Sequence, residues 1–238
     1  MNVVSRIQKD LRLNARSKKA RELERFFKTG KGEYAEGDRF IGVMVPDQRV
    51  IAQTYCVRCL LSDIKKLLSS PIHEERLTAL LILVEQYKKA TIAQQKQIHI
   101  FYLAHTAHIN NWDLVDLSAD KIVGEYFTRC PKREYTAFLK QYARSRSLWE
   151  RRIAVLTTFA FIKKGDVEPV FFVARMLLAD QHDLIHKAVG WMLREAGKKN
   201  IKKEREFLYT YAHRMPRTML RYAIEKMGDT ERKRWLTV

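Results

Sequence analysis

Glycine and proline are scarce, nine and five in 238 residues. That is roughly half the usual combined share of about 12%. A sheet protein built on tight turns needs more of both, so the composition points to an all-helical chain. Cysteine is also sparse. Cys56, Cys59 and Cys130 cannot make a disulfide framework, which fits a reducing cytoplasm. Long apolar runs are missing. The longest, Leu77 to Val84, covers barely two helical turns, against the ~18 to 20 residues of a membrane span. The first twenty residues, MNVVSRIQKDLRLNARSKKA, alternate charge with apolar side chains and contain no signal-peptide core. Acidic residues are outnumbered, 27 against 45 Lys and Arg, for a formal charge of +18.

What is present is helical periodicity. With 46% hydrophobic residues the chain has ample material for a core. Leu77, Leu80, Leu81 and Val84 form one apolar stripe, and Ile153, Leu156, Thr157 and Ala160 another. Four of the nine glycines fall in TGKGEYAEGDRFIGVMVP (29–46). This stretch reads as a non-helical connection between an N-terminal helical arm, 1–28, and a repeat body, 47–238. Helices are expected over about 47–61, 62–69, 73–89, 91–107, 111–127, 131–144, 147–163, 166–179, 182–199, 201–214 and 217–236. Pro71, Pro131, Pro169 and Pro216 stand at or near their starts, where a missing N–H costs little.

The segments repeat. HEERLTALLIL (73–83), LWERRIAVLTT (148–158) and LIHKAVGWMLR (184–194) share a charged start and the same apolar spacing. Aligning Trp112 with Trp149 gives an offset of 37 residues and Arg152 with Lys187 gives 35, and a helix pair every 35 to 40 residues is the spacing of an α-solenoid of HEAT or TPR type. The expectation is one domain, 1–238, with a concave basic face.

The charge narrows the partners of that face. Lys and Arg run from Arg6 to Arg234, densest at 15–28, 129–152, 194–205 and 214–234. A basic surface so distributed suits a long polyphosphate duplex better than a single lipid patch, so double-stranded DNA is the expected partner, with no membrane. Trp112 and Asp116 lie four apart in NNWDLVDLSAD and share a helix face. Asp113 lies a quarter-turn round and suits the positive end of the helix. Arg152 follows Trp112 by 40 residues and Trp191 follows Arg152 by 39, so with a period near 37 the four groups recur on one surface. Read as ordinary helix contacts, Trp112, Trp149 and Trp191 would need no polar company.

FFKTGKGEYAEGDRFIGVMVPDQR (26–49), NWDLVD (111–116), LWERR (148–152) and KAVGWMLRE (187–195) together resemble the HEAT-like DNA alkylation repair family, the AlkD-type alkylpurine DNA glycosylases. The resemblance spans nearly the whole chain. It implies a catalytic aspartate at Asp116 with a tryptophan at Trp112, an active-site arginine at Arg152 and a second tryptophan at Trp191. It implies excision of cationic alkylpurines from duplex DNA by a cytoplasmic, nucleoid-associated monomer. Phe26 stands where the family pattern has tyrosine. Trp149, Lys187, Arg194, Lys28 and Lys31 are the expected DNA contacts. The different-class alternative is a non-catalytic repeat module that binds branched or damaged DNA, or a protein.

No metal or cofactor is expected. Cys56 and Cys59 make a single CxxC in a helical pattern with no second pair. His105 with His108, and His182 with His186, lack an HExxH glutamate, and FKTGKGEY lacks the GxxxxGK[ST] of a phosphate loop.

Overall fold

The structure is a computed structural model that describes residues 2–237. It is nearly all helical, 74%. The chain divides into two compact units, 1–118 and 119–238.

The first unit holds α1 (Val3–Leu13), α2 (Ser17–Phe27), α3 (Val45–Tyr55), α4 (Leu61–Leu68), α5 (His73–Lys89), α6 (Ile92–Ala104) and α7 (Trp112–Asp116). The expected N-terminal arm, 1–28, is therefore two helices over its described residues, broken at Asn14–Arg16. The Asn2 side chain caps α1 by accepting from the Ser5 amide at 2.8 Å. Val4, Ile7 and Leu11 form its buried stripe, and it packs on α3, α4 and α5. It is a core helix; only α2, which buries Phe27 alone, keeps the character of an arm. Helix α5 lies at the centre, with every residue from His73 to Val84 buried, packed against α3, α4, α6 and α7.

The expected 29–46 connection is non-helical over 29–44, as its glycines require, and α3 takes up Val45 and Pro46. Gly42 has φ +83°, and a Cβ there would collide with the Arg16 carbonyl and the Ala20 amide, so only glycine lets α2 approach. Glu74 holds this stretch to α5 by accepting the amides of Ile41, Gly42 and Val43 at 3.1, 2.7 and 3.2 Å. Helix α3 ends at Tyr55 rather than 61. Gln86 donates to the carbonyls of Cys56 and Cys59 at 2.7 and 2.6 Å and holds a turn there, so these cysteines sit beyond the helix.

The second unit holds a helical run with a π turn over Asp120–Gly124, continued by α8 (Glu125–Phe127), then α9 (Lys132–Ala143), α10 (Leu148–Lys163), α11 (Glu168–Met176), α12 (Asp183–Lys199), α13 (Ile201–Tyr211), α14 (Arg217–Ala223) and α15 (Asp229–Leu236). Helix α10 packs on α12 and α12 on α14, while α9, α11 and α13 flank them. The three inner helices start at residues 148, 183 and 217, a period of about 35. This is the repeat expected from sequence. Gly190 lets α12 meet α14 closely, since a Cβ there would collide with the Met219 carbonyl.

Two expected helices are interrupted. The 111–127 segment breaks at Leu117–Ser118, where the Ser118 hydroxyl bonds back to the Leu114 carbonyl and disturbs the ladder. Its continuation widens to the π turn where Gly124 packs on Thr157 and Ala160 of α10. The 217–236 segment breaks at Met227–Gly228, with Gly228 in extended conformation ahead of α15.

Candidate functional site

Helix α7 has five residues, too few to stand without side-chain support. Asn111 caps it, accepting from the Trp112 amide at 2.8 Å. Asp113 accepts the Leu114 amide at 2.8 Å, serving the helix start as its position suggested. Leu114 and Val115 are fully buried. The two ends of this short helix present Trp112 and Asp116.

The indole of Trp112 is half-buried and stacks on Phe27, centroids 4.9 Å apart and planes 15° from parallel. Phe26, 63% exposed, meets its edge at 5.8 Å. The indole N–H donates to the Tyr34 hydroxyl at 3.3 Å. Phe27 in turn stacks on Phe40 at 5.0 Å, so α2 and the 29–46 connection together form an aromatic wall. Trp112 and Asp116 line one cavity of about 340 Å³ with this wall and with Leu23, Val43 and Leu77. Two of the sequence-predicted residues are thus brought together, beside partners from three other elements.

Below the wall lies a buried polar network. His73 hydrogen-bonds through Nδ1 to Asp38 at 3.0 Å and through Nε2 to Asp113 at 2.8 Å. Arg76 donates to the other Asp38 oxygen at 2.6 Å, and the Asn111 amide to Asp38 at 3.2 Å. Burial opposes charge on His73, but Asp113 and Asp38 outweigh it and raise the imidazole to about 9. Burial likewise pushes Asp38 up, and its bond to His73, the charge of Arg76 and the Asn111 amide pull it below the ordinary carboxylate value. Both ring nitrogens of His73 therefore donate at neutral pH. Sequence reasoning missed this network. In the sequence HEER is only the charged start of a repeat, and the partners of His73 lie 35 and 40 residues away.

In the second unit, Arg152 of α10 is 5% exposed, and its Nη1 donates to the Leu184 carbonyl at 2.5 Å. Lys187, Trp191 and Arg194 follow one another at helical spacing along α12, each half-buried. Trp191 packs against Phe159 of α10 at 5.9 Å. Lys187 pairs with Asp183 at 2.7 Å, and Arg194 with Glu225 and Glu195. Trp149 is half-buried at the start of α10, while Lys28 and Lys31 are exposed, at the end of α2 and in the connection that follows it. Lys28 ends α2 in the left-handed conformation, φ 55°.

Among the described residues no group of three His, Cys, Asp or Glu side chains is placed to hold a metal. His186 spends Nε2 on the Asp180 carbonyl and His182 accepts the Leu184 amide. Cys59 is pushed up to about 12, chiefly by burial. No described helix is long and apolar enough to cross a membrane.

A stack of helices with a 35-residue period, and a short helix presenting tryptophan and aspartate from its two ends, define an all-helical repeat protein of the kind seen in AlkD structures. The sequence profile of the DNA alkylation repair enzyme family matches residues 7–227, and the chain belongs to that family. A protein described as a predicted DNA alkylation repair enzyme from Enterococcus faecalis is similar over 91% of this chain and 98% of its own, with TM-score 0.71 and 14% identity. AlkD2 from Streptococcus mutans is similar over 95% and 97%, with TM-score 0.55 and 18% identity. The smu.31 protein of Streptococcus mutans UA159 is similar over 95% and 98%, with TM-score 0.54 and 18% identity. At such identities the likeness is one of fold. No curated protein matches the sequence.

Proposed function

We propose that the protein is a monofunctional DNA glycosylase that hydrolyses the N-glycosidic bond of cationic alkylpurines, such as 3-methyladenine and 7-methylguanine, in duplex DNA. The observation that carries this reading is that Asp116 and Trp112 line the same aromatic-walled cavity, in a chain of charge +18. A carboxylate near a polyanion repels it, and catalysis gives that arrangement a use.

The chemistry suits these groups. An alkylated purine already carries positive charge, so it leaves without a strong general acid. The C1′–N bond breaks, its electron pair neutralises the base, and the sugar becomes oxocarbenium-like. Asp116 stabilises that cation and orients water, whose oxygen bonds to C1′ and whose proton passes to the carboxylate or solvent. Trp112 and Trp191 offer π-faces to the cationic sugar and base, each worth about 0.5–2 kcal/mol. Arg152 engages a phosphate, its guanidinium plane fixed by the Leu184 bond. Lys28, Lys31, Trp149, Lys187 and Arg194 contact the flanking duplex. The reaction consumes water and leaves an abasic site without metal or cofactor. The protein works as a monomer on cytoplasmic DNA.

Release of 7-methylguanine from methylated duplex by wild type and Asp116→Asn tests this. The variant is expected to fold and bind DNA, yet to lose at least about 100-fold in single-turnover rate, since the lost charge acts in the transition state. Near wild-type excision by the variant would remove Asp116 from the chemistry. Binding without excision by the wild type would favour a non-catalytic module.

A further inference from the structure

Three elements meet at one imidazole. Asp38 lies in the 29–46 connection, Asp113 in α7 and His73 at the start of α5. His73 is 1% exposed, and its ring stacks on Phe40 at 4.4 Å. It also lies against Phe27 at 5.1 Å, the residue on which Trp112 rests. One ring therefore touches the aromatic wall of the cavity with its face and the start of α7 with its edge.

Helix α7 cannot set its own orientation. Its N-terminal side is held by Asn111 and Asp113, and both run to the same hub: Asp113 to His73 and Asn111 to Asp38. The groups facing His73 are Asp113 from α7, Asp38 from the connection and Arg76 on its own helix. Glu74, the next residue of α5, is committed to the amides of 41–43. Two carboxylates and two cations balance, so the cluster is neutral only while His73 is charged. Deprotonation would leave Asp38 and Asp113 sharing a ring with one N–H, and one of the two bridges would be lost.

We infer that His73 is a positioning residue: its doubly donating ring ties α7 to the aromatic connection and so holds Trp112 and Asp116 in their working arrangement. This rests on the reading of Trp112 and Asp116 as the reacting pair. The raised ring basicity given above supports it, since the bridge then persists across neutral pH and opens on the alkaline side. Ordinary structural support would tie excision to stability; positioning ties it to the protonation of one ring.

The test is a pH series on the intact wild-type protein, following the His73 ring and the Trp112 indole N–H by ¹⁵N-resolved NMR, with excision of 7-methylguanine measured in parallel. The expected result is a charged His73 at pH 7. The Trp112 signal should move with the His73 midpoint, and the single-turnover rate should fall on that same limb while DNA affinity, measured at each pH, holds. His73→Gln, which keeps one donor, should fold and lose about 10- to 100-fold in rate with little change in Kd, and its alkaline limb should shift away from the wild-type midpoint. A neutral His73 at pH 7, or a His73 titration to which Trp112 is blind, would overturn the inference. Coupled His73 and Trp112 signals in a protein without excision would uphold the positioning and refute the glycosylase reading.

Discussion

The Trp112 ring lies 4.9 Å from the Phe27 ring, 15° from parallel, although 85 residues separate them. This stack joins the arm helix to the catalytic-candidate helix. It adds to the close approach at Gly42 in positioning α2, whose one buried residue is Phe27.

The Phe27–Trp112 relationship gives the first expectation. Phe27→Leu keeps apolar bulk but removes the stacked face, an aromatic pair worth about 0.5–1.5 kcal/mol. Excision of 7-methylguanine should fall about 2- to 12-fold, with a modest drop in Tm and no change in binding to undamaged duplex. An unchanged rate would show that the stack does not hold Trp112 for catalysis.

Salt titrations separate positioning on the backbone from reading the lesion. Lys187→Ala should flatten the slope of log K against log salt by about 0.9, the counterion release of one phosphate contact, and weaken intact and alkylated duplexes alike. Arg152→Ala should do the same and also lower Tm, because Arg152 is buried against the Leu184 carbonyl. Trp112→Ala and Trp191→Ala should instead reduce lesion preference. Unchanged slopes in both basic variants would place DNA elsewhere.

Gly42→Ala should destabilise the first unit by about 2–4 kcal/mol, because φ is positive there and the new Cβ meets the Arg16 carbonyl. Thermal melts measure the loss, and trypsin should cut within α2 faster than in wild type. A wild-type melting curve would refute the close approach.

Glu204 is a buried acid of the second unit, 2% exposed, and its Oε1 has no hydrogen-bond partner among the described residues. Burial, helped by Glu231 and opposed by Arg205, raises it from 4.5 to about 8. A raised carboxyl contributes stability below its unfolded value that is lost as pH climbs through the folded one. Wild type should therefore lose stability between about pH 4.5 and 8 relative to Glu204→Gln, which should melt higher at pH 8 by an amount on the order of 1–3 kcal/mol. Parallel melting curves for the two proteins over that range would contradict the burial of a titrating acid.

Much of this architecture was legible in the chain itself. The scarcity of glycine and proline and the 3.6-residue periodicity announced helices, and the likeness of LWERRIAVLTT to LIHKAVGWMLR announced a repeat of 35 to 40 residues, because each repeat must bury one face against the next. The Trp112–Asp116 pair was legible for the same local reason, a spacing of four on one helix. Residue 26 could be marked as the one departure from the family pattern.

Other features depend on where distant segments come to rest. That α1 belongs to the core followed only from what Val4, Ile7 and Leu11 find to pack against. The breaks at Ser118 and Gly228, and the π turn at Gly124, depend on a single hydroxyl, a turn or the close approach of a neighbouring helix, none of which periodicity records. Most of all, His73 looked like the polar start of a helix. Folding places Asp38 and Asp113 on its two nitrogens, and a long-range pair of carboxylates has no signature in local spacing. Local chemistry determined which helices form; tertiary burial decided which of their charges face each other.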